Sequence, residues 1–175
     1  MKNQRLNLYQ IDIKYIRNLH RIDDHVMSVS PQISKNNRTF VGIITVCGKQ
    51  EYCIPLTSIK EKYLNIRDKI DFTKIYDGKK AIAALNFNNM IPVNESQLFP
   101  IDIQINESDS PALKGYKKLC QKEISWCRIH HYDIINKASV LYKKYLSGEP
   151  LLCRSRCLNF PKLEEECKKY NAGRP

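Results

Sequence analysis

Two hydroxyl groups and one ammonium group lie close together in the run Pro55-Leu56-Thr57-Ser58-Ile59-Lys60. Such groups can hold a phosphate through hydrogen bonds and charge. Cleavage of RNA by its own 2′-hydroxyl needs a base for the 2′ proton, donors for the five-coordinate phosphorane and an acid for the 5′ oxygen. Thr57, Ser58 and Lys60 are therefore candidate catalytic residues for a reaction that requires no metal ion and no cofactor.

The run lies where an apolar strand is predicted to give way to a helix. Residues 50–56 have the composition of a strand, and Ser58 and Glu61 have the spacing of a capping box, which predicts a short helix capped by Ser58. The first N–H groups of a helix lack partners within it, so they would add donors for a bound phosphate. A serine cap beside an exposed lysine is also ordinary at helix starts, and the run alone does not distinguish these two interpretations.

The formal net charge of +11 predicts a polyanionic partner, with nucleic acid first and an anionic membrane surface second. No apolar run approaches the roughly 18–20 residues of a membrane span, and the first residues lack the apolar stretch of a secretory signal. We therefore expect a cytoplasmic protein that does not bind membranes. The seven cysteines lack zinc-site spacing, and their odd number argues against a disulfide framework, so most are expected to be buried thiols.

Strand patterns fill the first part of the chain and helical patterns the last, which predicts a single α+β domain over residues 1–175. The sheet-rich core is expected over about residues 6–105 and the helical region over about residues 110–170. Asp12 is predicted to cap a short helix that ends near Leu19. A hairpin turn is predicted at Asp77-Gly78, and either a helix break or a bend is predicted near residues 131–133.

Several short motifs occur in an order that resembles the type III toxin–antitoxin endoribonucleases of the ToxN/AbiQ family, which includes CptN. The motifs are Leu8-Tyr9-Gln10-Ile11, Lys14-Tyr15-Ile16, Asp23-Asp24, Arg38-Thr39-Phe40-Val41-Gly42-Ile43, Pro55-Leu56-Thr57-Ser58-Ile59-Lys60 and Asn89-Met90-Ile91-Pro92-Val93. The resemblance covers nearly the whole chain, from about residue 6 to residue 170, and the Pro-Leu-Thr-Ser-x-Lys run is its most specific member.

The resemblance implies a compact, highly twisted, mainly antiparallel and barrel-like core, similar to the Kid/MazF toxins, with C-terminal helices packed on it. It implies sequence-preferring, metal-independent cleavage of cellular RNA that leaves 2′,3′-cyclic phosphate and 5′-hydroxyl ends. It also implies a small repeated antitoxin RNA, folded as a pseudoknot, which the toxin processes and binds in a toxin–RNA hetero-oligomer. Phage defence and plasmid maintenance are both roles that such a pair can have.

Carried over by position, Thr57, Ser58 and Lys60 match the active-site run of the family, and Tyr15 matches a tyrosine that lines the same groove. Arg38 stands where the family often has lysine. Arginine holds phosphate well but exchanges protons poorly, because its pKa stays above about 12. Either Arg38 only stabilises charge or Lys35 takes the lysine's role. Residues predicted to bind RNA are Lys14, Arg17, Lys35, Asn36, Lys62 and Arg67.

Two alternatives remain open in the sequence. The 2′ proton is expected to pass either to Lys60, deprotonated by its cationic surroundings, or through the hydroxyl of Thr57 or Ser58. The chain could instead be a non-catalytic regulatory module that binds RNA or DNA with the same basic surface. A metal-dependent nuclease is disfavoured because no cluster of acidic residues lies at ligand spacing near the basic run.

Overall fold

An antiparallel sheet with helices packed on it makes up the computed structural model, which describes residues 5–27 and 38–172. The strands of this part of the chain are β1 (Asn7–Ile11), β2 (Phe40–Val46), β3 (Gln50–Ser58), β4 (Phe72–Asp77), β5 (Lys80–Asn86), β6 (Ile91–Pro92) and β7 (Leu98–Pro100). Its α-helices are α1 (Ile13–Ile22), α2 (Glu61–Leu64), α3 (Pro111–Ile129), α4 (His131–Ser147) and α5 (Phe160–Ala172). The predicted α+β class is confirmed.

Strand β3 is the centre of the sheet, whose order is β4-β5-β3-β2-β1-β7. One edge of β3 pairs with β2, while the other pairs with β6 near its start and with β5 over its last three residues. The outer strands β4 and β7 do not pair with each other, so the sheet is open. The antiparallel pairing that the resemblance implies is confirmed, but the sheet does not close into a barrel.

The first helix and the β4–β5 hairpin form where their local signals predict them. Asp12 caps α1 by accepting a hydrogen bond from the Lys14 backbone N–H at 2.9 Å. Gly78 adopts a left-handed φ of 58° in the hairpin turn, which a residue without Cβ does at little cost. Local chemistry is sufficient for both elements, because their signals lie within a few residues of the structure they determine.

The core lies between the sheet and the helices. Helix α3 packs on β4 and β1, α4 packs on β2, and α5 packs on α1 and β6. Six of the seven cysteines are buried and all are free thiols, as expected from their spacing. None of the helices in the described part of the chain is both long and apolar enough to cross a lipid bilayer.

Two helices, rather than one bent helix, follow the sheet. The break falls at His130, one residue before the predicted site, and α4 ends at Gly148 with a left-handed φ of 74°.

At the start of α3, Lys117 is only 5% exposed. Its Nζ donates to Asp102 Oδ2 at 3.2 Å, to Asp109 Oδ2 at 3.0 Å and to the carbonyl oxygen of Gln104 at 2.6 Å. These bonds attach residues 101–109, which are mostly without regular structure, to the helix.

Candidate active-site groove

A large groove runs beside the end of β3, and Thr57, Ser58, Lys60 and Arg38 all line it. Its other walls come from α1, the residues after α2, the end of β5, helix α3 and the turn around Arg156. The enclosed volume of about 1310 Å³ exceeds the range of roughly 300–1,000 Å³ that is usual for small-molecule pockets. The groove is therefore wide enough for a segment of a polymer.

The residues around Thr57 take a different backbone path from the one predicted. Strand β3 continues through Ser58, and Thr57 and Ser58 pair with Ala84 and Ala83 of β5. Helix α2 begins only at Glu61, spans four residues and has Lys60 at its N-cap with no side-chain capping bond. The predicted Ser58 cap is therefore wrong, because strand pairing with a distant segment overrides the local capping pattern. The phosphate donors expected from helix N–H groups are not part of the site.

The side chains of the run are nevertheless accessible from the groove. Thr57 is half-buried, while Ser58 and Lys60 are exposed. The backbone of Lys60 stays extended, with φ −109° and ψ 156°, so the lysine follows on from the strand end. Two hydroxyl groups and an ammonium group are thus presented together at one end of a β-strand.

Arg38 joins this group from the segment before β2. Its side chain is half-buried, and its guanidinium donates to the sulfur of Met27. Burial lowers the pKa of Arg38, and nearby Tyr63 opposes that change. The guanidinium is therefore partly removed from water, which strengthens its interaction with any anion that enters the groove. Lys35, the alternative to Arg38, lies outside the described residues.

Tyr15 does not line the groove, so this part of the predicted site is wrong. Its side chain is fully buried in the core, where its hydroxyl donates to the carbonyl oxygen of Pro92 at 2.7 Å and its ring contacts that of Tyr170. Burial raises the pKa of the Tyr15 phenol well above its usual range. The tyrosine lies on the apolar face of α1 and joins that helix to β6, so its role here is structural.

Four of the six predicted RNA-binding residues fall in the described part of the chain, and they do not line the groove. Lys14, Lys62 and Arg67 are exposed and Arg17 is half-buried, and none of the four belongs to the groove lining among the described residues. Asn36, like Lys35, lies outside the part of the chain that the structure describes.

One wall of the groove contains polar residues that the sequence did not indicate as a site. Lys69 adds a cation, and Arg156 lies beside Asp71, donating from Nη2 to Oδ2 at 2.8 Å. This wall also carries three amide side chains, those of Asn86, Asn88 and Asn89. They come from the end of β5 and the turn that follows it, and Asn88 donates to the carbonyl oxygen of Arg156. Amide groups can both donate to and accept from base edges.

The opposite wall is formed by α3, where Tyr116, Leu119 and Glu123 face the groove. Glu123 is only 8% exposed, and burial raises its pKa to about 7. Sequence reasoning missed this residue, although one signal was available. Glu123 falls at helical spacing between Cys120 and Cys127 on the apolar face of the helix, where a carboxyl is unusual.

A group of three potential metal ligands lies near one end of the groove. Asp23, Asp24 and His25 each bring one ligand atom within 4.8 Å of the others. The carboxylate of Asp23 already accepts hydrogen bonds from the backbone N–H groups of His25 and Asn159, at 3.0 and 2.7 Å. Its position is therefore explained by the chain itself, as a link between the end of α1 and the start of α5.

The sequence of this chain is similar to those of known proteins. A family model described as "Toxin ToxN, type III toxin-antitoxin system" matches residues 7–168. Endoribonuclease ToxN of Bacillus thuringiensis subsp. kurstaki is 30% identical over 168 residues, which is 93% of this chain and 82% of the relative.

Two solved structures resemble the fold closely. The first, from work on type III toxin–antitoxin systems and selective toxin inhibition by a non-coding RNA pseudoknot, has a TM-score of 0.78 and 26% identity. It covers 96% of this chain and 99% of its own. The second, from work on a processed non-coding RNA that regulates a bacterial antiviral system, has a TM-score of 0.77 and 26% identity. It covers 93% of this chain and 98% of its own.

Proposed function

Because this chain belongs to the ToxN family of toxins from type III toxin–antitoxin systems, we propose that it is an endoribonuclease that cuts RNA in the groove beside β3. The observation that carries this proposal is the joint placement of Thr57, Ser58, Lys60 and Arg38 on one groove wide enough for a polymer. The net charge of +11 supports it, since a basic surface attracts the RNA backbone.

The reaction that suits these groups is transesterification by the 2′-hydroxyl. The 2′ oxygen attacks the adjacent phosphorus, the bond to the 5′ oxygen breaks, and the products carry a 2′,3′-cyclic phosphate and a 5′-hydroxyl. Arg38 and the hydroxyl groups of Thr57 and Ser58 stabilise the charge on the phosphorane oxygens. The 2′ proton passes through the hydroxyl of Thr57 or Ser58 to solvent water, and the ammonium group of Lys60 donates a proton to the leaving 5′ oxygen. Side chains thus supply the donors and the acid.

Metal independence is part of the same proposal. The lining brings the hydroxyl groups of Thr57 and Ser58 together with the cations of Arg38, Lys60 and Lys69, and such groups can act directly on phosphate oxygens. The Asp23, Asp24 and His25 group is the alternative, because a divalent ion held there would make cleavage sensitive to chelation. The two mechanisms therefore give opposite results in EDTA.

We further propose that a small repeated RNA, folded as a pseudoknot, inhibits this toxin and is itself processed by it. The support is the similarity in sequence and fold to a toxin structure from work on inhibition by a non-coding RNA pseudoknot. Inhibition by a folded RNA and cleavage of cellular RNA would use the same basic groove, so bound antitoxin would exclude substrate.

The test is cleavage of total RNA by the purified protein in excess EDTA, followed by sequencing of the new ends. We expect cuts whose 3′ ends carry cyclic phosphate and whose 5′ ends accept phosphate from a kinase. Cleavage that disappears in EDTA and returns with a divalent ion would contradict the metal-free mechanism. Binding without any cleavage would favour the regulatory module instead.

The hydroxyl groups are tested by Ser58→Ala and Thr57→Val, with Ser125→Ala as the matched control on the exposed face of α3. Removing one donor to a developing oxyanion typically lowers the rate constant about 10²–10³-fold. We expect losses of this order in at least one of the two groove variants and none in the control. Full activity in both groove variants would remove the hydroxyls from the mechanism.

A further inference from the structure

Glu123 occupies an unusual position for a carboxyl group. In the part of the lining that the structure describes, the acidic residues are Asp71 and Glu123. Asp71 is held by Arg156, but Glu123 makes no hydrogen bond or ion pair with another described residue. Every fully buried polar side-chain atom in the described ranges has a partner, so the Glu123 oxygens keep some access to solvent, and the residue lines the groove. The carboxyl is therefore available to a ligand.

The charged surroundings of Glu123 come from several elements. The other ionisable side chains of the groove, apart from the tyrosines, are His25, Arg38, Lys60, Lys69, Asp71 and Arg156. Helix α3 itself packs against β4, β1 and α4. The charged residues of β4 are Lys74 and Asp77, which bond to the carbonyl oxygen of Leu64 and to Lys122. The ionisable residue of β1 is Tyr9.

Strand β4 also carries Tyr76, and helix α4 carries a further set of ionisable groups. They are His131, Tyr132, Asp133, Lys137, Tyr142, Lys143, Lys144 and Tyr145. Lys137 is bound to Thr73 and the phenol of Tyr142 to Glu164. None of these charges accounts for the raised pKa of Glu123, which results from burial of the carboxyl.

We propose that Glu123 contacts the base of a nucleotide in the groove, and that its protonation state determines which bases are accepted there. This proposal rests on the proposed function, in that the groove must take single-stranded RNA. Bases of unpaired RNA are commonly recognised on their Watson–Crick edges. A buried, unpartnered carboxyl in the wall of a basic groove suits a base edge, whereas phosphates would be repelled by it.

The two forms of the carboxyl offer different hydrogen bonds. An ionised carboxylate only accepts, whereas a protonated carboxyl donates once and still accepts. Guanine presents two adjacent donors, N1–H and N2–H, which match the carboxylate. Adenine, cytosine and uracil each present one donor beside one acceptor, which match the protonated form. Raising the pH should therefore increase the share of cuts that have guanine at this position.

The size of this change follows from the titration of one group. For a pKa near 7, the ratio of protonated to ionised carboxyl changes about a hundredfold between pH 6 and pH 8, and the protonated fraction falls about tenfold. Phosphates of bound RNA would raise the pKa further, so measurements should extend to pH 9. We expect cuts that depend on adenine, cytosine or uracil at one position to fall up to about a hundredfold relative to cuts that depend on guanine there, because the two classes follow the two forms of the carboxyl.

The experiment is cleavage of a random-sequence single-stranded RNA at pH 6, 7, 8 and 9, with base frequencies counted at each position around the cut. Counting frequencies within one reaction cancels the pH dependence of the chemistry itself. The variants are Glu123→Gln, which cannot ionise and offers one donor and one acceptor at every pH, and Glu165→Gln, an exposed control on α5. Melting curves confirm that each variant is folded.

Support would be a shift toward guanine at one position in the wild type and the control, and a constant pattern in Glu123→Gln. Unchanged base frequencies in the wild type, or the same shift in Glu123→Gln, would overturn the proposal. The second result would point to another titrating group.

If the wild type does not cut RNA at all, the proposed function fails but the inference can still be judged. A random-sequence 2′-O-methyl RNA, which lacks the attacking hydroxyl, is then selected for binding at the same pH values. Enrichment of guanine at high pH that is lost in Glu123→Gln supports the base contact, and its absence overturns it.

Discussion

Lys60 and Lys117 are the same residue type in two regions with opposite environments. Lys60 is exposed at the end of β3, lines the groove, and has no hydrogen bond or ion pair from its ammonium group to any other described residue. Lys117 is buried at the start of α3 and donates to three oxygens, two of them from carboxylates. One ammonium group is free for a ligand, and the other is fully used by the chain.

The difference shows how to distinguish a functional charge from a structural one in this basic protein. A buried ammonium group requires acceptors, because an unpaired buried charge is strongly unfavourable. Lys117 has three acceptors, one for each N–H bond of its ammonium group. An exposed ammonium group needs no protein partner, so Lys60 is free to contact the phosphate that the proposed function places in the groove.

The largest effect that this comparison predicts is the loss of cleavage in Lys60→Met. Removal of a proton donor typically lowers the rate constant about 10²–10⁴-fold, so we expect kcat to fall by about 10³-fold. The melting temperature should hardly change, because the ammonium group makes no bond to a residue in the described part of the chain. Single-turnover cleavage of a fluorescent RNA, with a melting curve on the same sample, measures both quantities.

Lys118→Met is the matched control for that variant. Lys118 is exposed on α3, outside the groove lining, and its replacement by methionine removes the same charge from the protein. An equal loss of activity in both variants would mean that net charge, rather than the position of Lys60, is responsible.

The Lys117→Met variant should show the opposite pattern, with a lower melting temperature and an unchanged rate of RNA cleavage. Removal of the ammonium group leaves the carboxylate of Asp109, whose side chain is only 10% exposed, and the carbonyl oxygen of Gln104 without their donor, and this is costly to the folded state. We expect the melting temperature to fall by several degrees, while the folded protein keeps kcat close to that of the wild type. Lys118→Met again serves as control and should melt like the wild type.

A loss of kcat in folded Lys117→Met, at a temperature well below its melting point, would contradict the structural role. The 101–109 segment would then contribute to the groove as well as to stability.

Sequence reasoning succeeded where the determining contacts are local or form an ordered set of motifs. The Asp12 cap and the Asp77-Gly78 turn each depend on a few neighbouring residues. The family was also predictable, because its motifs occur in order along nearly the whole chain. The groove-lining positions of Thr57, Ser58 and Lys60 agree with those motifs, while their catalytic roles stay predictions.

Sequence reasoning failed where the contact that determines the structure comes from a distant part of the chain. The capping pattern at Ser58 is local, but Ala83 of β5 pairs with this residue and keeps it in a strand. Tyr15 carries a family motif, yet the carbonyl oxygen of Pro92 holds its hydroxyl in the core.

The smallest predicted effect is a pH dependence of the stability difference between the wild type and Lys117→Met. Hydrogen bonds from the backbone N–H groups of Gln104 and Asn106, and then from Lys117, lower the pKa of Asp102 and Asp109. A carboxyl with a lowered folded pKa stabilises the protein above its unfolded pKa of about 3.9, and this contribution is lost as the pH falls through the folded value.

At the basic end, the hydrogen bond to Asp109 raises the pKa of Lys117. The stability from this group is therefore present below the unfolded pKa of about 10.4 and is lost as the pH rises through the higher folded value. We expect the difference in melting temperature between the two proteins to be widest at neutral pH and to narrow below about pH 4, where the carboxylates lose their charge. Melting curves at pH 7 and pH 3 measure this difference. A difference in melting temperature that stays constant would show that Lys117 stabilises the fold by packing of its carbon chain rather than by charge.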